Sequence, residues 1–200
     1  MSDMRVSVLA SGGGTDFQSI IDAVESGQLT GVKIVQLIAG KDGIGAIDRA
    51  KKHGIKVKCI TKNNYPDMDD RMKAVEKALD EEDTDLVVLA GYLSIVAPSI
   101  IKKYDHRIIN IHPALLPKHG GKNCYGINVH RMVLEAGDTE SGATVHYVNE
   151  GIDTGEPILQ SHVPVLPDDT PESLAARVLE TEHVILPKAI GMIAEKRGKA

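Results

Sequence analysis

The sequence predicts an α/β fold: a single domain built on a mostly parallel twisted sheet of about seven strands, with helices on both faces. Three observations predict it. Short apolar runs alternate with helical patterns through the first half of the chain, which implies right-handed βαβ crossovers. The chain has one Phe, five Tyr and no Trp, so the core is built from Ile, Val, Leu and Ala, as suits a buried parallel sheet. After residue 112 the alternation gives way to a Gly/Pro-rich loop, two strand-like runs and one long helix.

In order, residues 5–10 read as a strand, 15–27 as a helix, 32–39 as a strand and 43–54 as a helix ending at glycine. Residues 56–60 form a short strand, and 67–82 a helix with one polar face. The run 86–90 is a strand, 98–104 a short helix opened by Pro98, and 107–111 the fifth strand. The loop from 112 extends to about 126, and a helix follows to Gly137. Runs 142–149 and 156–165, joined by Glu150-Gly-Ile-Asp-Thr-Gly155, are compatible with a hairpin. Thr170-Pro171 is an N-cap followed by Pro at the first helical position, opening a long helix that Pro187 should kink. Residues 195–200 read as a solvated tail. The expected division is a Rossmann-like phosphate-binding half, 1–111, and a half holding a catalytic loop, hairpin and C-terminal helix, 112–200.

Length sets one domain as the expectation for 200 residues. The net charge of −5 argues against a nucleic-acid-binding face. Cys59 and Cys124 lack C-x-x-C spacing and read as free thiols in a reducing compartment. No signal stretch precedes the first strand and no run approaches 18 apolar residues, so a cytoplasmic, soluble protein is expected.

Residues 107–122 carry the densest chemistry. The apolar run to Ile111 meets Pro113, Pro117 and the pair Gly120-Gly121, so the strand stops in a loop. Asn110 and His112 lie two apart, and side chains on a strand alternate faces, so both project from the strand end together. An amide donor beside a group that titrates near neutrality suits a reaction in which a carbonyl is polarised while a proton moves. The plainer reading is a satisfied strand-end histidine with a capping Asn.

Ser11-Gly-Gly-Gly-Thr-Asp16 joins the first strand to the first helix. It is either a tight βα turn or a phosphate cradle of Gly13, Gly14, Thr15 and Asp16, backed by the positive helix end. Thr15 and Gln18 have capping-box spacing. Phe17 replaces the third glycine of G-x-G-x-x-G and no P-loop Lys-Ser/Thr follows, which argues against dinucleotides and nucleoside triphosphates. The Asp16 carboxylate opposes a phosphate unless it turns to the helix dipole and the surface. Asp153 is a turn aspartate or a carboxylate that reaches His112 and raises its pKa. Glu182 falls on the apolar stripe of Leu174, Val178, Ile185 and Ala189, so it either reaches out from the stripe edge or is paired inside. Residues 90–96 are core or the wall of a flat apolar pocket. His119, His130, His146, His162 and His183 show no metal-ligand spacing, so no metal is expected.

Together, Val-Leu-Ala-Ser-Gly-Gly-Gly-Thr-Asp-Phe-Gln, Leu-Ala-Gly-Tyr-Leu, Asn-Ile-His-Pro-Ala-Leu-Leu-Pro, Gly-Ala-Thr-Val-His and Asp-Thr-Gly-Glu-Pro-Ile-Leu-Gln resemble the phosphoribosylglycinamide formyltransferase family over residues 5–190. The resemblance implies transfer of a formyl group from 10-formyltetrahydrofolate, as co-substrate and without a metal, to the amine of glycinamide ribonucleotide in purine synthesis. It implies a catalytic trio of Asn110, His112 and Asp153, with Asn110 donating to the oxyanion and protonated His112 delivering a proton to the leaving nitrogen. It places the substrate phosphate at Gly13, Gly14, Thr15 and Asp16, and a nucleotide contact at Glu182. It places the folate at Leu93, Ser94, Ile95, Val96, Asn110, Glu150, Gly151, Ile152 and Asp153, with Arg71 as the candidate for its tail. Asp16 replaces the family's usual Asn, and residues 122–126 lengthen the loop. Partners are expected to be small molecules, not nucleic acid or membrane, and the protein a monomer or weak homodimer. Relatives acting on tRNA or deformylating the folate would carry extra domains. A phosphate-metabolite sensor would need the cradle but not the trio, and a hydrolase would release formate without an amine acceptor.

Overall fold

The structure is a computed structural model that describes residues 2–198. Its elements run β1 (Met4–Ala10), α1 (Thr15–Glu25), β2 (Val32–Ala39), α2 (Gly45–Lys52), β3 (Lys56–Cys59), α3 (Met68–Glu81), β4 (Leu86–Leu89), α4 (Pro98–Lys103), β5 (Ile108–His112), α5 (Ile127–Glu135), β6 (Glu140–Tyr147), β7 (Pro157–Pro164) and α6 (Pro171–Arg197). One seven-stranded sheet has the order β3-β2-β1-β4-β5-β6-β7. The first five strands pair in parallel, and β6 and β7 add antiparallel as the predicted hairpin.

The strand order reverses between β1 and β4. Crossovers leave in opposite directions there, so the carboxyl ends of these strands open a crevice. The opening is held by Ser11: its N–H donates to Gly91 O at 3.0 Å, and its Oγ accepts from Leu93 N at 3.2 Å.

Helices cover both faces. On one, Phe17, Ile20 and Ile21 of α1 and Leu174, Val178 and Ile185 of α6 pack with Val6, Val8 and Val145 of the sheet. On the other, Val75 and Leu79 of α3 and Ile100 of α4 meet Leu9, Ile38 and Ile108. Burying a side chain of this kind stabilises by about 1.5–3 kcal/mol, which is why a core with so few aromatics suffices. One polar network crosses the second layer. Gln36 Nε2 donates to Ser7 Oγ (3.1 Å) and Ala78 O (2.8 Å), and Ser7 Oγ lies 2.7 Å from Thr84 Oγ1.

Two expectations change. The Thr15/Gln18 capping box does not form: the N-cap of α1 is Gly14, at φ 74°, and Thr15 is already helical. Gln18 instead donates to Asp22 (2.8 Å) and accepts from Arg49 Nη1 (3.1 Å). A glycine is required at 14 because an added Cβ would also lie 2.7 Å from Ala46 Cβ on α2. The tail is shorter than predicted, since residues 195–197 form the last turn of α6 and Arg197 pairs with Asp85 at 2.5 Å, while 199 and 200 lie outside the described residues. The helix α6 continues through Pro187 to Arg197, with Leu186, Pro187, Ala189 and Ile190 all buried, so packing outweighs the lost backbone bond. The Thr170 cap is as predicted, with Ser173 completing the box.

Candidate active site

The site is assembled by strand pairing. In the antiparallel β5–β6 ladder, Asn110 lies opposite His146 and His112 opposite Thr144. Thr144 Oγ1 donates to Ala114 O (2.6 Å) and accepts from Leu116 N (3.1 Å). Gln160 Nε2, from β7, adds bonds to Leu116 O and Thr144 Oγ1, both at 2.9 Å. The loop after His112 is thereby tied to the hairpin, which orients the histidine.

Asp153 arrives from the β6–β7 connection. Asn149 Oδ1 accepts from Gly151 N (3.0 Å) and Thr154 Oγ1 (2.8 Å), folding the turn on itself. Asp153 occupies the left-handed region at φ 55°, a strained conformation for a non-glycine residue. The strain sets its carboxylate between the strand residues: Oδ2 accepts from Gly121 N at 3.0 Å and lies 3.6 Å from His112 Nδ1, while Oδ1 lies 3.5 Å from Asn110 Nδ2 and 3.7 Å from His146 Nε2. The three sequence-predicted residues therefore come together, and two that were passed over join them.

The first is His146, buried at 2% exposure, whose Nδ1 lies 2.8 Å from Tyr147 O and whose Nε2 lies 3.1 Å from Asn110 Nδ2. A carbonyl only accepts, so Nδ1 carries the proton and Nε2 accepts from the Asn110 amide. The polar alternation Thr144-Val145-His146 in an otherwise apolar run was its signal in the sequence. The second is His130 on α5, which lines the same cavity. Its Nδ1 is buried without a partner, and burial, aided by the nearby His112, pushes its pKa down to about 4.

The electrostatics of His112 correct one expectation. Its Nε2 lies 2.8 Å from His119 O and so carries a proton, which leaves Nδ1 facing Asp153. Burial pushes the imidazole pKa down by more than Asp153 and the His119 carbonyl push it up, and the net direction is down. Asp153 itself stays ionised. Burial opposes this, but the neighbouring imidazoles of His146 and His112 and the Gly121 N–H together hold its pKa below the usual value.

Around this cluster lies a cavity of about 800 Å3. Its lining includes Leu93, Ser94, Ile95 and Val96 on one side and Glu150, Gly151, Ile152 and Asp153 on another. Leu93 and Ile95 are exposed at 55% and 66%, apolar surface left open at a cavity mouth, as a ligand site requires. The loop 122–126 also lines it, with Cys124 buried as a free thiol. Asp16 and Glu182 line it as well. Asp16 is thus turned inward, not to the surface, and Glu182 is paired inside, not reaching outward. Gly13 and Gly14 do not line this cavity, and Thr15 lines a smaller groove behind α1 with Arg49 and His183. Arg71 lies outside the lining as well; its guanidinium donates to Tyr65 O (3.2 Å) and Pro66 O (3.4 Å). Among the described residues, no group of three or more His, Cys, Asp or Glu is placed to hold a metal ion, and no helix is long and apolar enough to cross a membrane.

Comparison with known proteins gives the family. The chain is 40% identical over 98% of its length to the chloroplastic phosphoribosylglycinamide formyltransferase of Arabidopsis thaliana, of which it spans 67%. It is 39% identical over 96% of its length to phosphoribosylglycinamide formyltransferase of Haemophilus influenzae, of which it spans 88%. The crystal structure of glycinamide ribonucleotide transformylase 1 from Symbiobacterium toebii superposes with a TM-score of 0.91 at 36% identity, covering 98% of this chain and 89% of that one. Residues 4–190 match the formyl transferase family, and the chain belongs to it.

Proposed function

We propose that the Asn110, His112 and Asp153 cluster transfers the formyl group of 10-formyltetrahydrofolate to the amine of glycinamide ribonucleotide, the step of purine synthesis that gives the formylated nucleotide and tetrahydrofolate. The observation that carries this reading is an ionised carboxylate, Asp153, lying within 3.6 Å of both an amide donor, Asn110, and an imidazole, His112, at the wall of an apolar cavity. The chain's family and its relatives' activity support it.

The folate supplies an activated formyl carbon, and the residues present suit it. Leu93, Ile95, Val96 and Ile152 offer flat apolar walls, and Asn110 and Asp153 offer polar groups beside them. Arg71, which does not line this cavity, is the proposed partner of the folate tail.

Each polar residue then has a part. Asn110 has one N–H committed to His146 Nε2 and the other in a long, weak contact with Asp153. The second N–H is the one free to turn to the formyl oxygen as negative charge develops there. A preorganised donor of this kind contributes roughly 3–4 kcal/mol in the transition state. His112 starts neutral, because burial favours that form. As the amine nitrogen bonds to the formyl carbon it loses a proton, which is held between His112 Nδ1 and Asp153. Charge on the formyl oxygen strengthens that hold. The same proton passes to the departing nitrogen as its bond to the formyl carbon breaks, so the protein ends as it began. A relay of this kind is worth about 10² to 10⁴ in rate.

Asp16 and Glu182 line the cavity, and the turn of Gly13, Gly14 and Thr15 that adjoins Asp16 at the positive end of α1 is the proposed phosphate site, with Glu182 on the nucleotide. The partners are small molecules, and the negative net charge favours them over nucleic acid. A cytoplasmic monomer or weak homodimer fits this role.

The test is to incubate the protein with 10-formyltetrahydrofolate, with and without glycinamide ribonucleotide, and to follow tetrahydrofolate and formylated product. Release that requires the nucleotide is the expected result. Release of formate without it would replace transfer by deformylation, and no release in either case would overturn the reading.

A further inference from the structure

Glu182 is a buried carboxyl with no cation beside it. It lies on the inward stripe of α6 at 7% exposure and lines the cavity, and among the described residues no Lys, Arg or His forms an ion pair with it. Its polar neighbour is Asp16, close enough for the two carboxyls to share a hydrogen bond. Asp16 is itself only 14% exposed at its side chain, and its Oδ1 is buried without a hydrogen-bond partner. His183 Nε2 lies 3.8 Å from Asp16 Oδ1 and is likewise buried without a hydrogen-bond partner. Elsewhere at this end, Arg49 of α2 is occupied by Gly13 O at 2.9 Å, and His130 of α5 and Lys122 of the loop line other parts of the cavity wall.

Two carboxylates in contact and away from water cannot both stay ionised; one proton is shared. Burial and the Asp16 charge both raise the Glu182 pKa, and burial raises that of Asp16 against the pull of His183 and the Glu182 bond. Asp16 is also in the first turn of α1, so its carboxylate competes for the helix end that would attract an anion. A phosphate arriving there meets a pair of charge −1 while the proton is held and −2 once it is lost.

We propose that the Asp16–Glu182 carboxyl pair is a proton-linked specificity element, holding one shared proton that must be in place for a phosphate monoester to enter the cradle at 11–16. This rests on the assignment of the nucleotide phosphate to that cradle. Where the free pair keeps its proton, binding takes up none. At higher pH each binding event draws one proton from solvent, and affinity weakens by up to about tenfold per pH unit.

The experiment is calorimetric titration of glycinamide ribonucleotide from pH 7 to 9.5 in buffers of different ionisation enthalpy, on the wild type, Asp16→Asn and Glu182→Gln. The range lies above the second phosphate ionisation, near 6, so the ligand is a dianion throughout. The nucleotide's amine titrates in this range and contributes equally to all three proteins, so the reading is the difference between them. The expected result is proton uptake rising toward one per site in the wild type beyond that of either variant, with Asp16→Asn binding more tightly at pH 9. Equal uptake and equal pH slopes in all three would overturn the proposal while leaving the phosphate site intact. No nucleotide binding by any of the three would overturn the site assignment and the proposal together.

Discussion

His146 accepts a hydrogen bond from Asn110 across the β5–β6 ladder, Nε2 to Nδ2 at 3.1 Å, and is held in that tautomer by Tyr147 O. The antiparallel register makes the two residues direct neighbours although 36 positions separate them. The amide proposed to stabilise the formyl oxygen is therefore aimed by a histidine that need not touch the substrate.

Replacing His146 by Ala should remove that aim without removing the donor. Turnover should fall by about tenfold to a hundredfold, less than the 10²–10³ lost on deleting a donor outright. KM for the folate should change by less than a factor of three or so. Steady-state kinetics of His146→Ala beside Asn110→Ala would check this, and equal losses in the two would contradict it.

His112→Ala and Asp153→Asn should each lower kcat by about 10² to 10⁴ while leaving substrate affinity near normal. Near-normal turnover in both would remove them from the proton relay.

The acid limb of the kcat/KM profile should lie below pH 6.5, the ordinary His value, because the His112 pKa is lowered, chiefly by burial. The neutral, proton-accepting form then persists to lower pH. In Asp153→Asn the one carboxylate that pushes this pKa up is gone, so the residual activity should show its limb at still lower pH. Rate measurements from pH 5 to 8 decide the sign, and a limb above 6.5 in the wild type would show that Asp153 outweighs burial.

His130 predicts an acid sensitivity of the fold. Its folded pKa of about 4 lies below the unfolded 6.5, so between those values the unfolded chain binds more protons. Stability should be full above pH 6.5 and decline as pH falls toward 4. His130→Leu removes this dependence, so at pH 5 its loss relative to pH 7 should be smaller than the wild type's by up to about 2 kcal/mol. Urea unfolding of both proteins at the two pH values provides the check.

Gly14→Ala should destabilise by about 1–3 kcal/mol or more, since it combines a left-handed backbone with a Cβ placed 2.7 Å from Ala46. Gly13→Ala, with nothing within 4 Å of its added Cβ, serves as the control. Similar midpoints of thermal unfolding for the two would refute the packing explanation.

Much of this protein was legible in the order of its residues. Period-two and period-3.6 apolar patterns are local, so the strands, helices and hairpin were readable to within a few positions, as were the Thr170 cap and the placement of Asn110 and His112 on one strand face. Glu182 stood out because a charge on an apolar stripe breaks a local rule. What the tertiary structure decided was which groups meet and which force prevails. The Gly14 cap depends on α2 approaching α1, and Gln18 found partners on α2 in place of the helix end. His146 became part of the site through strand register. The His112 pKa turned on burial outweighing one carboxylate, and Asp16 turned inward to the cavity that Glu182 of α6 also lines. Pattern along a chain specifies elements, because their hydrogen bonds and periods are short-ranged. Desolvation and charge pairing depend on what lies opposite in space, and only the packed fold determines that.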